Sequence, residues 1–229
     1  MGFTVIHAPQ RSPEWYQARA GLLTGSRAAD AFATIKSGES AAKRDYRLQL
    51  AIERLTGTAA DDGFTTREMQ RGIDLEPVAR AAYEARTGRL VRTTGFLKHD
   101  LFPAGVSLDG DVNNYEGLIE IKCPKSATHV SYIRGGVLPR EYEYQCRHAL
   151  WITGAKWLDF VSYDDRLPRE LQLFIVRLNA TKAALGEYQQ MALMFLASVH
   201  VELEGIKSLI NGEKQKPSEQ LAMTGEQAA

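Results

Sequence analysis

The segment Gly117 to Pro124 reads GLIEIKCP, and it limits the fold more than any other stretch of the chain. Side chains two apart in a β-strand share a face, so Ile119 and Ile121 make one apolar face while Glu120 and Lys122 share the other. Such a strand packs its oily face into a core and must find partners for two charges, because an unpaired buried charge is expensive. Two placements satisfy it. An edge strand would leave Glu120 and Lys122 in water, a setting in which lysine is common. An interior strand would need a metal or a counter-charge. Just upstream, Val106 to Gly110 reads VSLDG and sets Asp109 in a turn after a second apolar run.

Helical patterns precede this region. Ser12-Pro13-Glu14-Trp15 combines a capping serine, a proline and an acid, a sound helix start. Thr24-Gly25-Ser26 interrupts it, and Ser26 is placed to cap a second helix carrying Ala28, Ala29, Phe32 and Ala33. A third helix is predicted over 42–55, with Tyr46, Leu48, Leu50, Ile52 and Leu55 as its apolar positions. Asp61-Asp62-Gly63 reads as a loop. A fourth helix over 69–86 places Leu75, Val78, Ala79, Ala82 and Tyr83 on one stripe and ends at Thr87-Gly88. Strand-like runs follow at 90–93, 95–99, 104–108 and 117–123. A helix over 140–153, apolar runs at 157–163 and 171–178, and a long helix over 181–209 complete the pattern. This order predicts an α/β fold with a mixed central sheet flanked by helices. Residues 1–210 read as a single domain with a substantial core, and 211–229 as a polar, flexible C-terminal tail.

Several function classes drop out on composition. Twenty-eight basic residues balance twenty-eight acidic ones, so a protein that coats nucleic acid by bulk attraction is disfavoured and any DNA contact must be local. Two cysteines, Cys123 and Cys146, are too few for a disulfide framework and lie at no zinc spacing from histidine. His99, His129, His148 and His200 are scattered, and no GxxxxGK[ST] loop indicates ATP use. No basic-then-apolar leader opens the chain, and no run approaches the roughly 20 apolar residues of a membrane span. A cytoplasmic location is expected.

The chemistry then centres on four groups. Asp109 and Glu120 supply hard oxygen ligands suited to Mg²⁺ or Mn²⁺, with the backbone carbonyl of Ile121 between the two side chains as a further ligand. Lys122 is placed to stabilise charge developing on a phosphate or to hold an attacking water. An Asp…Glu-x-Lys pattern alone recurs by chance. Three further segments give it context. Arg19 and Ser26 make a phosphate cradle, although plain capping by Ser26 and a solvated Arg19 is the ordinary alternative. Glu76 either reaches toward a metal-bound water or is a common first-turn glutamate. Gln145 holds a water or phosphate, or lies on the surface.

Taken in order, these segments resemble the YqaJ-like viral recombinase family, the phage lambda-type alkaline exonucleases. The motifs are W-x3-R-x-G-x2-T-x-S (Trp15 to Ser26), G-x3-E (Gly72 to Glu76), S-x-D-G (Ser107 to Gly110), E-x-K-C-P (Glu120 to Pro124) and a glutamine-bearing helix, spanning Trp15 to Trp151. The resemblance implies a restriction-endonuclease-like, PD-(D/E)xK core. It implies Mg²⁺-dependent 5′→3′ digestion of one strand of linear double-stranded DNA from 5′-phosphorylated ends, leaving 3′ overhangs. It further implies a ring-shaped homotrimer, a phage single-strand annealing protein as partner, and work in the cytoplasm of a bacterial host.

By the same resemblance, Asp109 and Glu120 are the metal ligands, Lys122 the catalytic lysine and Glu76 the helix glutamate beside the metal site. Arg19, Ser26 and Ser107 look like the pocket for the 5′-phosphate. Met69 stands where a wedge between terminal base pairs would be useful, and Lys36 is placed as a DNA-contacting cation on a loop. The chain departs from the family in three places. Leu108 replaces the proline of S-P-D-G, Arg147 replaces the second glutamine of Q-x-Q and becomes a phosphate contact, and His99 or Asp100 stands where some relatives carry another acid. The rival readings are an endonuclease on the same core, for which no base-reading element is visible, and a non-catalytic DNA-binding subunit.

Overall fold

The computed structural model describes residues 2–60 and 66–210; the expected loop at Asp61-Asp62-Gly63 and the polar tail 211–229 lie outside them. The elements are β1 (Phe3–Ile6), α1 (Pro13–Arg19), β2 (Leu23–Thr24), α2 (Ala28–Ala31), α3 (Ala41–Thr56), α4 (Arg67–Thr87), β3 (Phe96–His99), β4 (Ala104–Ser107) and β5 (Gly110–Val112). They continue with β6 (Gly117–Lys122), α5 (Ser126–Gly135), α6 (Arg140–Thr153), β7 (Trp157–Tyr163), β8 (Leu173–Asn179) and α7 (Lys182–Ile210). The α/β class with mixed sheets flanked by helices is as expected. In place of one central sheet, however, the strands form two four-stranded sheets, ordered β1-β3-β4-β2 and β5-β6-β7-β8.

The chain crosses between the sheets at Leu108-Asp109, where β4 ends and β5 begins. Gly110 is required at this crossing, because a Cβ there would sit 2.2 Å from Cγ1 of Val91. In the second sheet β6 lies between antiparallel β5 and parallel β7, with Glu120 opposite Phe160 and Lys122 opposite Ser162. The edge-strand placement of Glu120 and Lys122 is thereby excluded. On one face of β6, Ile119 and Ile121 pack with Val161, Tyr163 and the α4 residues Ala79 and Tyr83. On the other, Leu118 joins Leu158 and Phe160 in a larger core with Cys146, Ala149 and Leu150 of α6 and Tyr188 and Phe195 of α7. Glu120 shares that second face, so a carboxylate points into the side that α6 covers.

Local chemistry explains most element boundaries. Ser12 caps α1 by accepting from the Trp15 N–H at 3.2 Å, and Ser40 and Thr66 cap α3 and α4 in the same way. Gly88, at φ +68°, ends α4. Other expectations fail for identifiable reasons. Ser26 caps nothing; it lies in a short 3-10 turn, Gly25–Arg27, and its hydroxyl accepts from Arg19 instead. The run at 90–93 makes only a bridge between Arg92 and Asp111, which the Arg92 side chain reinforces with two hydrogen bonds to the Asp111 carboxylate. Strand β1, at the front of a region read as helical, and helix α5 carry too few periodic apolar residues to stand out.

The scattered histidines prove structural where they are buried. His148 donates from Nε2 to the Gly105 carbonyl at 3.0 Å and accepts at Nδ1 from the Tyr188 hydroxyl at 2.7 Å. Burial pushes its pKa down from 6.5 to about 4. The unfolded chain therefore binds a proton in that window and the folded chain does not, so stability is full above pH 6.5 and is lost as the pH falls through 4. The loss should amount to about 3 kcal/mol. Chemical denaturation at pH 7 and pH 4 checks this: His148→Gln, which can donate and accept at the same positions, should flatten that part of the profile, and an unchanged profile would refute the assignment.

Candidate active site

The crossing between the sheets gathers the charged groups. Asp109 Oδ2 accepts a hydrogen bond from the Ile121 N–H at 2.7 Å. The N–H and C=O of one strand residue point to the same side, so the Ile121 carbonyl also faces the Asp109 side, beyond the last β5 pair at Gly110 and Ile119. Glu120 is 2% exposed; its Oε1 meets Lys122 Nζ at 2.5 Å and accepts from Gln145 Nε2 of α6 at 2.6 Å. The Lys122 ammonium also lies 5.1 Å from the ring centroid of Tyr142. On the opposite side, Glu76 Oε1 accepts from Arg80 at 2.5 Å, one turn along α4.

Burial and mutual repulsion set the electrostatics of this group. Burial pushes the Glu120 carboxyl up to about 7, with Asp109 and Glu76 adding to the rise and Lys122 opposing it. Burial likewise raises Asp109 against Lys122, the Ile121 N–H and Arg80. Glu76 is raised by burial and by Asp109, against Arg80, Lys122 and Arg11. For Lys122 burial works downward, but Glu120 and Asp109 outweigh it and keep the ammonium protonated well above its ordinary value. Lys122 opposes the rise at all three carboxyl groups, and Arg80 pairs with Glu76.

A hard divalent cation fits that set. Asp109, Glu120 and the Ile121 carbonyl offer only oxygen, as Mg²⁺ or Mn²⁺ prefers. Among the described residues no three His, Cys, Asp or Glu side chains gather as a ligand cluster. The protein's own donors would therefore be two carboxylates and a carbonyl. The adjacent Cys123 thiol is pushed up to about 12 by burial, so no soft thiolate competes.

A second constellation adjoins the first. Ser107 stands two residues before Asp109, and its hydroxyl accepts from Trp15 Nε1 at 3.0 Å and from the Arg19 guanidinium at 3.5 Å. The same guanidinium donates to Ser26 at 3.4 Å and stacks 3.9 Å over the Trp15 ring. Arg19, Ser26 and Ser107 are thus brought together from α1, the turn before α2 and the end of β4. Trp15 was legible only as a motif residue; its indole N–H and face set the guanidinium plane.

The remaining expected residues are placed differently. Lys36 is exposed in the loop between α2 and α3, and Met69 is 55% exposed in the first turn of α4. Arg147 pairs through Nε and Nη2 with Glu143 one turn away. His99 accepts at Nδ1 from the Leu101 and Phe102 N–H groups, and Asp100 accepts from the Thr4 hydroxyl, so both brace a turn. Composition gave no signal for a cleft of about 540 Å³ at the end of β6, lined by Arg67, Arg71, Lys125 and Arg166 beside Cys123. Its charge is largely offset by Glu68, Asp164 and Asp165.

This arrangement, a carboxylate pair and a lysine on adjoining strands of a mixed sheet between helices, is that of a restriction-endonuclease-like nuclease. Residues 14–156 match the YqaJ-like viral recombinase domain, and the chain belongs to that family. It is 39% identical to the alkaline exonuclease LHK-Exo from Laribacter hongkongensis, over 88% of this chain and 99% of that one, with a TM-score of 0.78. The structure of LHK-Exo in complex with dAMP matches at the same identity and coverage, with a TM-score of 0.79. A phage-related exonuclease from Haemophilus somnus 129PT, 14% identical over 82% of this chain and 96% of that chain, shares the fold at a TM-score of 0.60. No curated protein matches the chain. Family membership makes the protein a nuclease that acts on DNA.

Removing one partner of a buried pair strands the other. Lys122→Met should therefore cost about 3 kcal/mol of stability at pH 8 without divalent ions. Urea denaturation in chelator reads this directly, and an unshifted midpoint would mean that Gln145 alone satisfies Glu120.

Proposed function

We propose that the protein is a Mg²⁺-dependent 5′→3′ exonuclease that degrades one strand of linear double-stranded DNA from 5′-phosphorylated ends and leaves 3′ overhangs. The observation that carries this reading is the Arg19–Ser26–Ser107 constellation set two residues from Asp109. A planar guanidinium and two hydroxyls suit a terminal phosphate dianion. Placed beside the carboxylates, they would hold a strand end while the next phosphodiester lies at the metal. Mn²⁺ would substitute for Mg²⁺ in an all-oxygen donor set.

Asp109, Glu120 and the Ile121 carbonyl would hold the divalent cation, which would supply Lewis-acid polarisation of the phosphate and a more acidic water. Lys122, kept protonated by its two carboxylate neighbours, stabilises the charge that develops on the phosphate oxygens. Glu76, with its raised pKa, takes up a proton near the attacking water. Gln145 fixes the Glu120 carboxylate from α6. Attack on phosphorus breaks the bond to the 3′-oxygen, and the new end again carries a 5′-phosphate that Arg19 can grip. A deoxynucleoside monophosphate is then the product, and the dAMP held by LHK-Exo is of that class.

Met69 would act as a wedge at the strand fork, and Lys36 and Arg147 as backbone contacts. Residues 1–210 would form the nuclease unit. A homotrimeric ring would reconcile DNA binding with a net charge of zero, since only its channel must be basic. A phage single-strand annealing protein would take up the 3′ overhangs, in the cytoplasm of a bacterial host. No helix among the described residues is long and apolar enough to cross a membrane.

The test compares linear duplexes with 5′-phosphate or 5′-hydroxyl ends and a covalently closed circle, each with Mg²⁺. The phosphorylated linear DNA should be digested, and Lys122→Ala should lower its turnover by about 10²-fold or more. Arg19→Ala should erase the preference for 5′-phosphate by roughly ten- to a hundredfold, the worth of charge-assisted hydrogen bonds. Cutting of the circle would replace this reading with an endonuclease, and an Arg19→Ala variant that keeps its preference would remove the phosphate grip.

A further inference from the structure

We infer that Tyr46, Glu53 and Arg54 of α3 are positioning residues for the 5′-phosphate grip, acting through the backbone of residues 21–24; this rests on the end-recognition reading above. Arg19 ends α1 and Ser26 lies in the turn before α2, so the course of the chain between them decides whether guanidinium and hydroxyl meet. That stretch holds only the two-residue strand β2, which pairs with β4 on one side. A further support is α3.

The support consists of side chains gripping backbone. The Gly21 N–H donates to Glu53 Oε2 at 2.7 Å, and Arg54 Nε donates to the Gly21 carbonyl at 2.8 Å. The Thr24 N–H donates to the Tyr46 hydroxyl at 3.2 Å, which donates in turn to the Leu22 carbonyl at 3.4 Å. Gly21 stands at φ +69°, and a Cβ on it would lie 2.6 Å from Cγ of Arg54, so the turn is moulded to that side chain. Glu53 is only 6% exposed, and its other oxygen accepts from Gln49 Nε2 and the Ala60 N–H.

Two observations set this apart from ordinary packing. Arg54 Nη2 is buried without a hydrogen-bond partner among the described residues, a cost accepted where Nε holds Gly21. Between α3 and the grip lies a small cavity of about 40 Å³, lined by Arg19, Thr24, Arg27, Tyr46 and Glu53 among others. On that side the hydrogen bonds to α3 bridge the gap, while Leu23 packs into the core. Arg27, stacked 4.4 Å over the Tyr46 ring and bonded to Gln49, extends the same support past Ser26.

The experiment measures kcat/KM on 5′-phosphate ends divided by that on 5′-hydroxyl ends, for Tyr46→Phe, Arg54→Met and Glu53→Leu in the full chain. Thr153→Val serves as control, since it removes a buried hydroxyl bonded to Ala149 and Ala155 in α6 and its C-terminal turn, outside the α3 support. The ratio should fall about tenfold in Tyr46→Phe and Arg54→Met, the worth of one charge-assisted contact. Thr153→Val should keep the ratio even where its Tm falls. If Glu53→Leu does not fold, the two milder variants decide. A wild type that prefers 5′-phosphate beside variants that keep the preference overturns this inference alone. A wild type indifferent to the phosphate overturns the end-recognition reading and this inference with it.

Discussion

The hydrogen bond from the Ile121 N–H to Asp109 is the contact on which the arrangement turns. It ties the crossing between two sheets to the one strand that carries both remaining charges. Asp109 belongs to neither sheet by its backbone pairing, yet this bond fixes its carboxylate against β6. The cost is a carboxyl group forced into protein surroundings beside Glu120, with Lys122 the charge that opposes both. An apolar core would be cheaper there. Retaining such a cluster makes sense where a cation and a phosphate complete it.

The two faces of β6 divide the labour. Ile119 and Ile121 bury against α4 and anchor the strand, while the other face presents Glu120 to α6. Gln145 then reaches the carboxylate from a helix otherwise committed to the core through Cys146, Ala149 and Leu150. A charged group is held rigidly because its neighbours on the same helix are packed and cannot yield. The same economy applies to Ser107 and Asp109, which share a strand end and serve adjoining groups of side chains.

Electrical neutrality of the whole chain also becomes intelligible. Basic residues are widely committed to intramolecular partners: Arg71 and Arg166 to Asp164, Arg92 to Asp111, Arg177 to Asp159 and Arg147 to Glu143. Buried Asp164 is held well below the usual carboxylate range, its burial outweighed by hydrogen bonds from Arg166 and Ser126. Charge here serves fold specificity more than bulk attraction.

The sequence by itself determined the helices with clear caps and stripes and the apolar strands, and its motif order singled out Asp109, Glu120, Lys122, Arg19, Ser26 and Ser107 as candidates. These follow from local periodicity, capping and motif order, all properties of neighbouring residues. Only the tertiary structure decided that β6 is interior, that the strands split into two sheets at Asp109, and that Ser26 accepts from Arg19 rather than capping a helix. It alone showed Arg147 bound to Glu143, His99 and Asp100 bracing a turn, and α3 gripping the backbone around Gly21. The grip of α3 on Gly21 and of Trp15 on Ser107 closes across thirty or ninety residues, where spacing carries no information; the short-range contacts turn on which of several nearby partners a side chain reaches.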